Sequence, residues 1–569
     1  MRHLVSFIFL FLIYPGVCFS QYPVQSSLVY PDADGKLVYQ PYTDKGDILP
    51  DFSWCGYMGG GVDLPEFPVV ATVKWNNRED DTPYIQAVID SVAKLKTNHN
   101  GLRGAILIKK GIYRIASPLR VTTSGIVLRG EGNDKYEGTI LLATGRYKYN
   151  VIEIGTNARM QLVAGSERQI TDDYVPSGTR ILHVKGASKA FKSGDKVLVN
   201  RPSNAAWIRA IDMDSIPPRP LAGESTHDSF RRLREGKGKA NMNGTVQWKP
   251  GSKDLRFERT IVSITGDAIT LNIPLTNALQ KEYGGGTITR YEYPGRISQC
   301  GVEYLYGMSV YDENIKQENR HIGLYCCDEK HANTFIAVRA AENTWVKKVN
   351  VDHFDCCVST SPSAIFFTGQ DLSATNPVSV ITGGRRYAYS VSGQMNLFER
   401  CYAGYHRHEF VLGSTVAGPN AFVDGLGDMN FASSEPHHRW AAGCLYDNIT
   451  IKGPEGSLLA VNRGWYGSGH GWAGAQIVFW NCSAPVIMVM QPPTAQNFAI
   501  GNNGSINDQD AGNARRKTIN AINGVSRSNF EDKGVPAVGD GWIEHPDKKV
   551  GIKSLYYAQL KDRKGTVKN

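Results

Sequence analysis

Short apolar runs with a polar middle recur through the second half of the chain. Each run is a tetrad that begins and ends on an apolar or small residue, and successive tetrads end about 20 to 45 residues apart. Fixed apolar ends with irregular spacing are typical of a parallel β-helix, because its inward positions stack from coil to coil while its turns vary in length. The tetrads are Val302–Leu305, Val346–Val349, Gly369–Leu372, Phe398–Cys401, Val423–Leu426, Tyr446–Ile449 and Phe479–Cys482.

One early segment has the helical period instead. Asp80 and Asp81 precede Pro83, which is a typical helix start, and apolar residues then recur at helical spacing from Ile85 to Leu95. Short β-rich runs separated by Gly or Asn follow this segment. The pattern therefore predicts one amphipathic helix that caps the open first coil and blunts its strand edges.

The remaining segments predict how the chain is divided. Residues 1–20 read as a signal peptide and 21–76 as an extended arm rich in Pro, Gly, Asp and Tyr. Residues 77–520 are expected to form the β-helix, with a long polar insertion at about 203–253. Residues 521–569 are expected to be a C-terminal tail that docks on the β-helix.

Several motifs resemble a known group of proteins. Gly111–Ile115 and Gly125–Gly132 resemble the entry coils of the pectate-lyase-like superfamily, and the resemblance extends over about residues 80 to 565. It implies an all-β, right-handed parallel β-helix with an N-terminal capping helix and long loop insertions. The superfamily contains lyases, hydrolases and non-catalytic members, so the resemblance leaves the reaction open. The other segments that carry it are Gly383–Tyr387, His406–Glu409, Gly418–Asn420, Pro436–Trp440, Gly467–Gly474 and Ser554–Leu560.

The net charge of the chain and its predicted export indicate which class of molecule the protein binds. Lys and Arg total 63 against 54 Asp and Glu, a formal net charge of +9 that favours a polyanion. The apolar run Leu4–Tyr14 is too short to span a bilayer and is followed by small residues that suit cleavage before Gln21. We therefore expect an exported monomer, periplasmic, cell-surface or secreted, that binds an acidic polysaccharide and neither nucleic acid nor a membrane.

The cysteines predict a stacked core position rather than a disulfide framework. Nine of the ten would remain after cleavage, an odd number without the CxxC spacing of zinc sites. The tetrad alignment places Cys401 and Cys482 where other coils carry Leu, Val or Ile. Both are therefore expected to be buried.

Basic and histidine-rich groups follow the tetrads at similar offsets, so successive coils are expected to bring them to one side, about 4.8 Å apart. β-Elimination of a uronate needs a base, a group that neutralises the carboxylate and a donor for the leaving oxygen. Either His408 or His438 is the predicted base, with the other as acid or orienting group, and Arg439 is the predicted neutraliser. The full catalytic set is His406, Arg407, His408, His437, His438 and Arg439, and the substrate-binding set is Arg385, Arg386, Tyr387, Tyr405, Arg463, His470 and Trp472.

Each set also has a structural interpretation, such as a packed turn beside Trp440, a salt-bridged turn at Arg385–Tyr387 or core packing for Trp472. Asp424, Asp428 and Glu435 are candidate ligands for Ca²⁺, the one cofactor considered, with solvated turn carboxylates as the alternative. The leading functional hypothesis is a polysaccharide lyase acting on a glycosaminoglycan or pectic chain. The alternatives are a glycoside hydrolase, which needs paired carboxylates, and a non-catalytic carbohydrate-binding β-helix.

Overall fold

The computed structural model describes residues 24–506 and 540–565, except 217, 225–227, 229–230 and 232–243. The predicted signal peptide and part of the predicted insertion lie outside these residues. No helix among the described residues is long and apolar enough to cross a membrane.

Three parallel sheets wind along the chain and form the sides of a β-helix, which confirms the predicted all-β fold class. Gly301–Ser309 and Trp345–Asp352 each bend from sheet I into sheet II, and Ser483–Val489 and Asn503–Ile506 bend from II into III. Sheet I contains Val69–Val73, Gly104–Ile108, Ile126–Gly130, Thr368–Gln370, Leu397–Glu399, Asn420–Val423, Ala441–Asp447, Gly474–Trp480, Phe498–Ile500 and Trp542–Glu544. Sheet II contains Gly111–Ile115, Thr139–Ala143, Ser373–Thr375, Tyr402–Gly404, Leu426–Asp428 and Thr450–Ile451. Sheet III contains Leu119–Val121, Asn150–Gly155, Thr334–Arg339, Cys356–Thr360, Tyr387–Val391, His408–Leu412, Ser433–Pro436 and Ser457–Ala460.

The predicted tetrads lie at the bend between sheets I and II. Val302 pairs with Val346, and Leu305 pairs with Val349, as aligned from the sequence. The third residue of each tetrad has a left-handed backbone conformation, except in Val423–Leu426, where the second residue has it. This conformation lets the chain turn within one residue and suits Asn and Asp. These bend residues are Tyr304, Lys348, Asp371, Arg400, Asp424, Asn448 and Asn481.

One tetrad was placed one residue too late. Phe398 pairs with Phe422, not with Val423, and Phe422 pairs in turn with Tyr446. The repeating unit of this coil therefore runs from Phe422 to Gly425. Because Phe422 and Val423 are both apolar, alternation alone does not decide which of them faces the core.

The β-helix begins with the capping helix, Thr82–Ala93. Its residues Ile85, Ile89 and Val92 are buried in the same core cluster as the first strands. The arm that precedes it contains a short hairpin, Val29–Pro31 with Leu37–Tyr39, and a 3-10 turn at Tyr57–Gly59.

A separate antiparallel module is inserted between the strands Asn150–Gly155 and Ile297–Ser298, and it is larger than the polar stretch predicted from the sequence. Trp207 packs edge-on against Trp440 of the β-helix at 4.8 Å between ring centroids, which joins the two cores. Its main sheet contains Gln161–Leu162, Arg168–Gln169, Ile181–His183, Lys196–Arg201, Leu255–Thr265, Ala268–Leu271 and Thr287–Glu292. Tyr174–Val175 pairs with Leu279–Gln280, and the helical segments are Ala187–Ala190, Ala205–Ala210 and the 3-10 turn Lys281–Tyr283.

The last described segment packs along sheet I and the N-terminal arm. Trp542–Glu544 extends sheet I, and the helix Leu555–Lys564 packs against the N-terminal arm. Short strands at other turns are Ile297–Ser298, Ala341–Glu342 and Ala364–Ile365, the hairpin Lys316–Asn319 with Gly323–Cys326, and one helical turn at Tyr466–Gly469.

The cysteines of the described residues are free thiols, and all except Cys326 are buried. Cys401 and Cys482 belong to the main core cluster, as the alignment predicted.

Candidate active site

Five aromatic and imidazole rings meet beside sheet III, two from the first residues of its strands and three from the turns that follow its strands. Neighbouring rings among Tyr387, His408, His437, His438 and His470 lie 4.8–5.2 Å apart between centroids. Together with Glu435 and Arg463 they are called the histidine cluster below. Consecutive coils supply these residues, because the strands Tyr387–Val391, His408–Leu412 and Ser433–Pro436 are neighbours in sheet III.

A hydrogen-bonded chain of three side chains runs through this cluster. His437 Nδ1 lies 2.9 Å from Glu435 Oε1, and the Tyr387 hydroxyl lies 3.1 Å from His437 Nε2. With the Nδ1 proton directed to the carboxylate, His437 Nε2 carries the lone pair that accepts the Tyr387 proton. The phenol is therefore aligned to pass its proton to an imidazole that a carboxylate orients.

Two guanidinium groups flank this chain. Arg463 donates from Nη1 to Glu435 Oε1 at 2.5 Å and to the His437 carbonyl at 2.6 Å. Arg407 bonds to the Tyr387 side chain and donates to the Gly383 carbonyl. Burial raises the pKa of Tyr387, whereas the charges of Arg407 and Arg463 lower it. The two arginines thus stabilise negative charge on the phenol oxygen.

His438 is a weaker base than the sequence suggested. Burial, helped by the charges of His437 and Arg439, lowers its pKa to about 3. Burial, helped by the charge of Arg463, also lowers the pKa of His470. Both imidazoles are neutral near pH 7 and have little tendency to accept a proton.

His406 and His408 are fully buried instead of lying in an open loop. His408 Nδ1 lies 2.5 Å from the Ser433 carbonyl, so this ring is held against the next coil. Burial lowers the pKa of His406 to about 3. The structure therefore corrects the assignment of His408 as the base, because a substrate does not reach a ring that is 0% exposed.

The predicted substrate contacts separate into buried and accessible residues. Arg386 is 2% exposed and donates to the Ser379 and Tyr405 carbonyls, so it holds two turns together. Arg385 pairs with Glu329 at 2.6 Å, as in the structural alternative. Tyr405 is 40% exposed and remains accessible.

The aromatic candidates separate in the same way. Trp472 is 1% exposed and packs in the core shared with the inserted module, which supports core packing and not its assignment to the substrate-binding set. Trp465 and Tyr466 are half-buried and stacked on each other at 4.9 Å, beside Arg463. These two rings are a partly accessible aromatic surface beside Arg463 of the histidine cluster, of the kind that a sugar face can contact.

The predicted calcium ligands are not brought together. Asp424 is the bend residue between sheets I and II and accepts a hydrogen bond from Asn448, whereas Asp428 ends a strand of sheet II and Glu435 lies in sheet III. Among the described residues the group with metal-ligating spacing is His408, Glu435 and His437. Arg463 Nη1 lies within 3.0 Å of both Glu435 and His437, so a guanidinium already supplies the positive charge there.

Arg439, the predicted neutraliser, lies at the rim of the cluster. It is half-buried, its guanidinium donates to Ser468 Oγ, and its backbone N–H donates to the His470 carbonyl. Sequence reasoning gave Glu435 only a calcium role. The sequence signal for its actual place is the Glu435–His437 spacing, which sets a carboxylate two residues before an imidazole.

No protein-family model and no protein of curated function matches this chain. Solved structures with a similar fold include the tailspike protein gp49 of Pseudomonas phage LKA1, at 11% identity and a TM-score of 0.38 over 75% of this chain and 64% of that one. The chain thus spans less than two thirds of that tailspike. Another is the polygalacturonase of Erwinia carotovora ssp. carotovora, at 10% identity and a TM-score of 0.35 over 79% of this chain and 95% of that one. A GH87 α-1,3-glucanase catalytic domain matches at 10% identity and 0.33, over 86% and 66%. At these levels the similarities carry no argument about the reaction.

Proposed function

We propose that this protein is an exported lyase that cleaves a uronic-acid-containing polysaccharide by β-elimination, with Tyr387 as the residue that exchanges protons with the substrate. The observation that carries the proposal is the chain from Glu435 through His437 to Tyr387, bounded by Arg407 and Arg463. The net charge of +9 favours an acidic polymer over a neutral one.

The proton balance of this reaction follows from the hydrogen bonds. Tyr387 passes its phenolic proton to His437 Nε2 while its oxygen takes the proton from C5 of the uronate. The electron pair of the C5–H bond forms the C4=C5 double bond, and the C4–O bond breaks toward the leaving sugar. The Tyr387–His437 pair then returns a proton to that leaving oxygen, while Glu435 balances the transient imidazolium.

Arginine side chains supply the second requirement of the reaction. A guanidinium that pairs with the uronate carboxylate makes the neighbouring C–H more acidic, and the half-buried Arg407, which is hydrogen-bonded to the Tyr387 side chain, is the proposed partner. Arg439, at the rim, is the proposed contact for a neighbouring sugar. Substrate affinity should therefore weaken as salt concentration rises.

Hydrolysis fits the cluster less well. It needs two carboxyl groups that face the same sugar from about 5 to 10 Å apart. Glu435 and Glu409, the acidic residues of the three sheet III strands that carry the cluster, are both 0% exposed, and Glu435 is engaged by Arg463. Neither is placed to protonate a glycosidic oxygen.

A screen of acidic polysaccharides tests the proposal, since only elimination leaves an unsaturated uronate that absorbs in the ultraviolet. We expect absorbance to rise with at least one pectic or glycosaminoglycan polymer. Tyr387→Phe should lower turnover by about 10² to 10⁴ without unfolding the protein. Tyr136→Phe, the same change on an 82% exposed ring in an early coil, is the matched control and should leave turnover unchanged.

The alternatives predict other results in the same screen. Polymer shortening without ultraviolet absorbance would identify a hydrolase, and binding without shortening would identify a non-catalytic protein. A folded Tyr387→Phe variant with normal turnover would contradict the assigned chemistry even if a lyase product appears.

A further inference from the structure

A cavity of about 420 Å³ lies between the inserted module and the turns that follow sheet III. Its volume is in the range of small-molecule and sugar sites, about 300 to 1,000 Å³. One wall comes from the strand Leu255–Thr265 and the residues just before it, and the other comes from three successive turns of the β-helix.

Alternation along the module strand decides which side chains face this cavity. Asp254, Arg256 and Glu258 line it, whereas Leu255 and Phe257 between them are buried in the module core. The charged side chains therefore lie on the cavity face of this strand, and the apolar side chains lie on its core face.

The three charged side chains differ in their hydrogen-bond and ion-pair partners. Glu258 accepts two hydrogen bonds from Arg296 and one from Tyr291, and Asp254 Oδ1 accepts from the Ser203 backbone and hydroxyl. Arg256 is exposed and, among the described residues, pairs with no carboxylate. It is thus the charged group of this wall that is available to an anionic ligand.

The opposite wall of the cavity is formed by turns that neighbour the candidate active site. It contains Ser363, Gly393 and Thr415, which follow three successive sheet III strands. The Thr415 backbone N–H donates to the Arg439 carbonyl at 3.1 Å, so Arg439 is the corresponding residue one coil further on. Because coils are about 4.8 Å apart, the cavity and the histidine cluster are close enough for one oligosaccharide to reach both.

The lining suits a sugar that carries a carboxylate. Hydroxyl groups come from Ser363 and Thr415, the half-buried Tyr293 offers a ring, and Arg256 offers the charge. We propose that this cavity is a second uronate-binding subsite, in which Arg256 pairs with the carboxylate of a sugar one or more units from the bond that is cleaved. The choice of substrate rests on the function proposed above.

Binding in the absence of turnover tests this subsite. Hexasaccharides prepared from polygalacturonate and from hyaluronan are titrated calorimetrically into the full-length Tyr387→Phe protein, alone and with Arg256→Ala added. Loss of one charge-assisted pair should weaken binding of the recognised hexasaccharide by about tenfold. The matched control is Arg209→Ala, which removes an exposed arginine of the same module outside the cavity and should leave affinity unchanged.

The outcomes separate this inference from the proposed reaction. An Arg256→Ala affinity equal to that of Arg209→Ala, or no binding of either hexasaccharide, would overturn the subsite. If Arg256→Ala weakens binding while Tyr387→Phe alone still cleaves the polymer, the subsite stands and the proposed role of Tyr387 fails.

Discussion

The bend between sheets I and II and the turn after sheet III belong to the same coils, but the bend has the same form in successive coils and the turn does not. At the bend, the seven coils that carry the tetrads each use one left-handed residue between two inward positions, so Asp424, Asn448 and Asn481 are equivalent. At the turn, lengths and contents differ from coil to coil, and the inserted module, the cavity and His437, His438 and His470 of the histidine cluster lie there. The repeated side maintains the fold, and the irregular side is free to carry chemistry.

The buried Glu409 carboxyl gives the largest expected effect on stability. Burial raises the pKa of the Glu409 carboxyl in sheet III to about 8. The unfolded carboxyl titrates near 4.3, so its proton is held more tightly in the folded state. The stability this group contributes is therefore complete below about pH 4 and is lost as pH rises toward 8.

Glu409→Gln, which mimics the protonated carboxyl, should remove that loss. The free energy of unfolding of the unmodified protein should fall by a few kcal/mol relative to the variant between pH 5 and pH 8. Urea unfolding at the two pH values measures the difference. Parallel pH profiles for the two proteins would show that Glu409 is not buried as a neutral acid.

A smaller effect is expected where the repeat is apolar. Cys401→Ala and Cys482→Ala each remove one buried sulfur from the core stack, which should cost about 1 to 2 kcal/mol by analogy with other large-to-small core changes. Specific activity should stay unchanged, as measured on the folded fraction of each variant. A well-folded Cys401→Ala protein that has lost activity would instead indicate a chemical role for this thiol.

The smallest effect concerns the bend itself. Asp424→Asn should be neutral, since Asn448 and Asn481 hold the same position in later coils. Asp424→Ala should cost about 1 kcal/mol, because alanine tolerates the left-handed conformation less well. Neither change should alter any response of activity to a chelator. If a chelator lowers the activity of the unmodified protein and Asp424→Asn abolishes that response, the calcium hypothesis would be restored.

This contrast also explains what the sequence could predict. Six of the seven tetrads were aligned correctly because an inward position repeats in every coil, and the slip at Val423 came from two adjacent apolar residues. The histidine-rich turns were identified, but their internal geometry was not. Nothing periodic in a turn tells that His437 faces Tyr387 while the neighbouring His438 is neutral and half-buried.

The contact between Glu435 and Arg463 could not be predicted for a related reason. They are 28 residues apart, and their 2.5 Å contact depends on how an irregular loop folds back over sheet III. The inserted module was likewise recognised only by its polar centre, because the pattern of its strands does not show that they pair antiparallel within a parallel fold.

A double-mutant cycle on Tyr387 and His437 tests the central claim most directly. If the two side chains act as one proton-transfer unit, Tyr387→Phe and His437→Ala should each lower kcat by about 10² to 10⁴ on the polymer identified in the screen. The double variant should then be no slower than the worse single variant, since the second change removes nothing further. Fully additive losses in kcat, or a His437→Ala protein with normal kcat, would contradict the account.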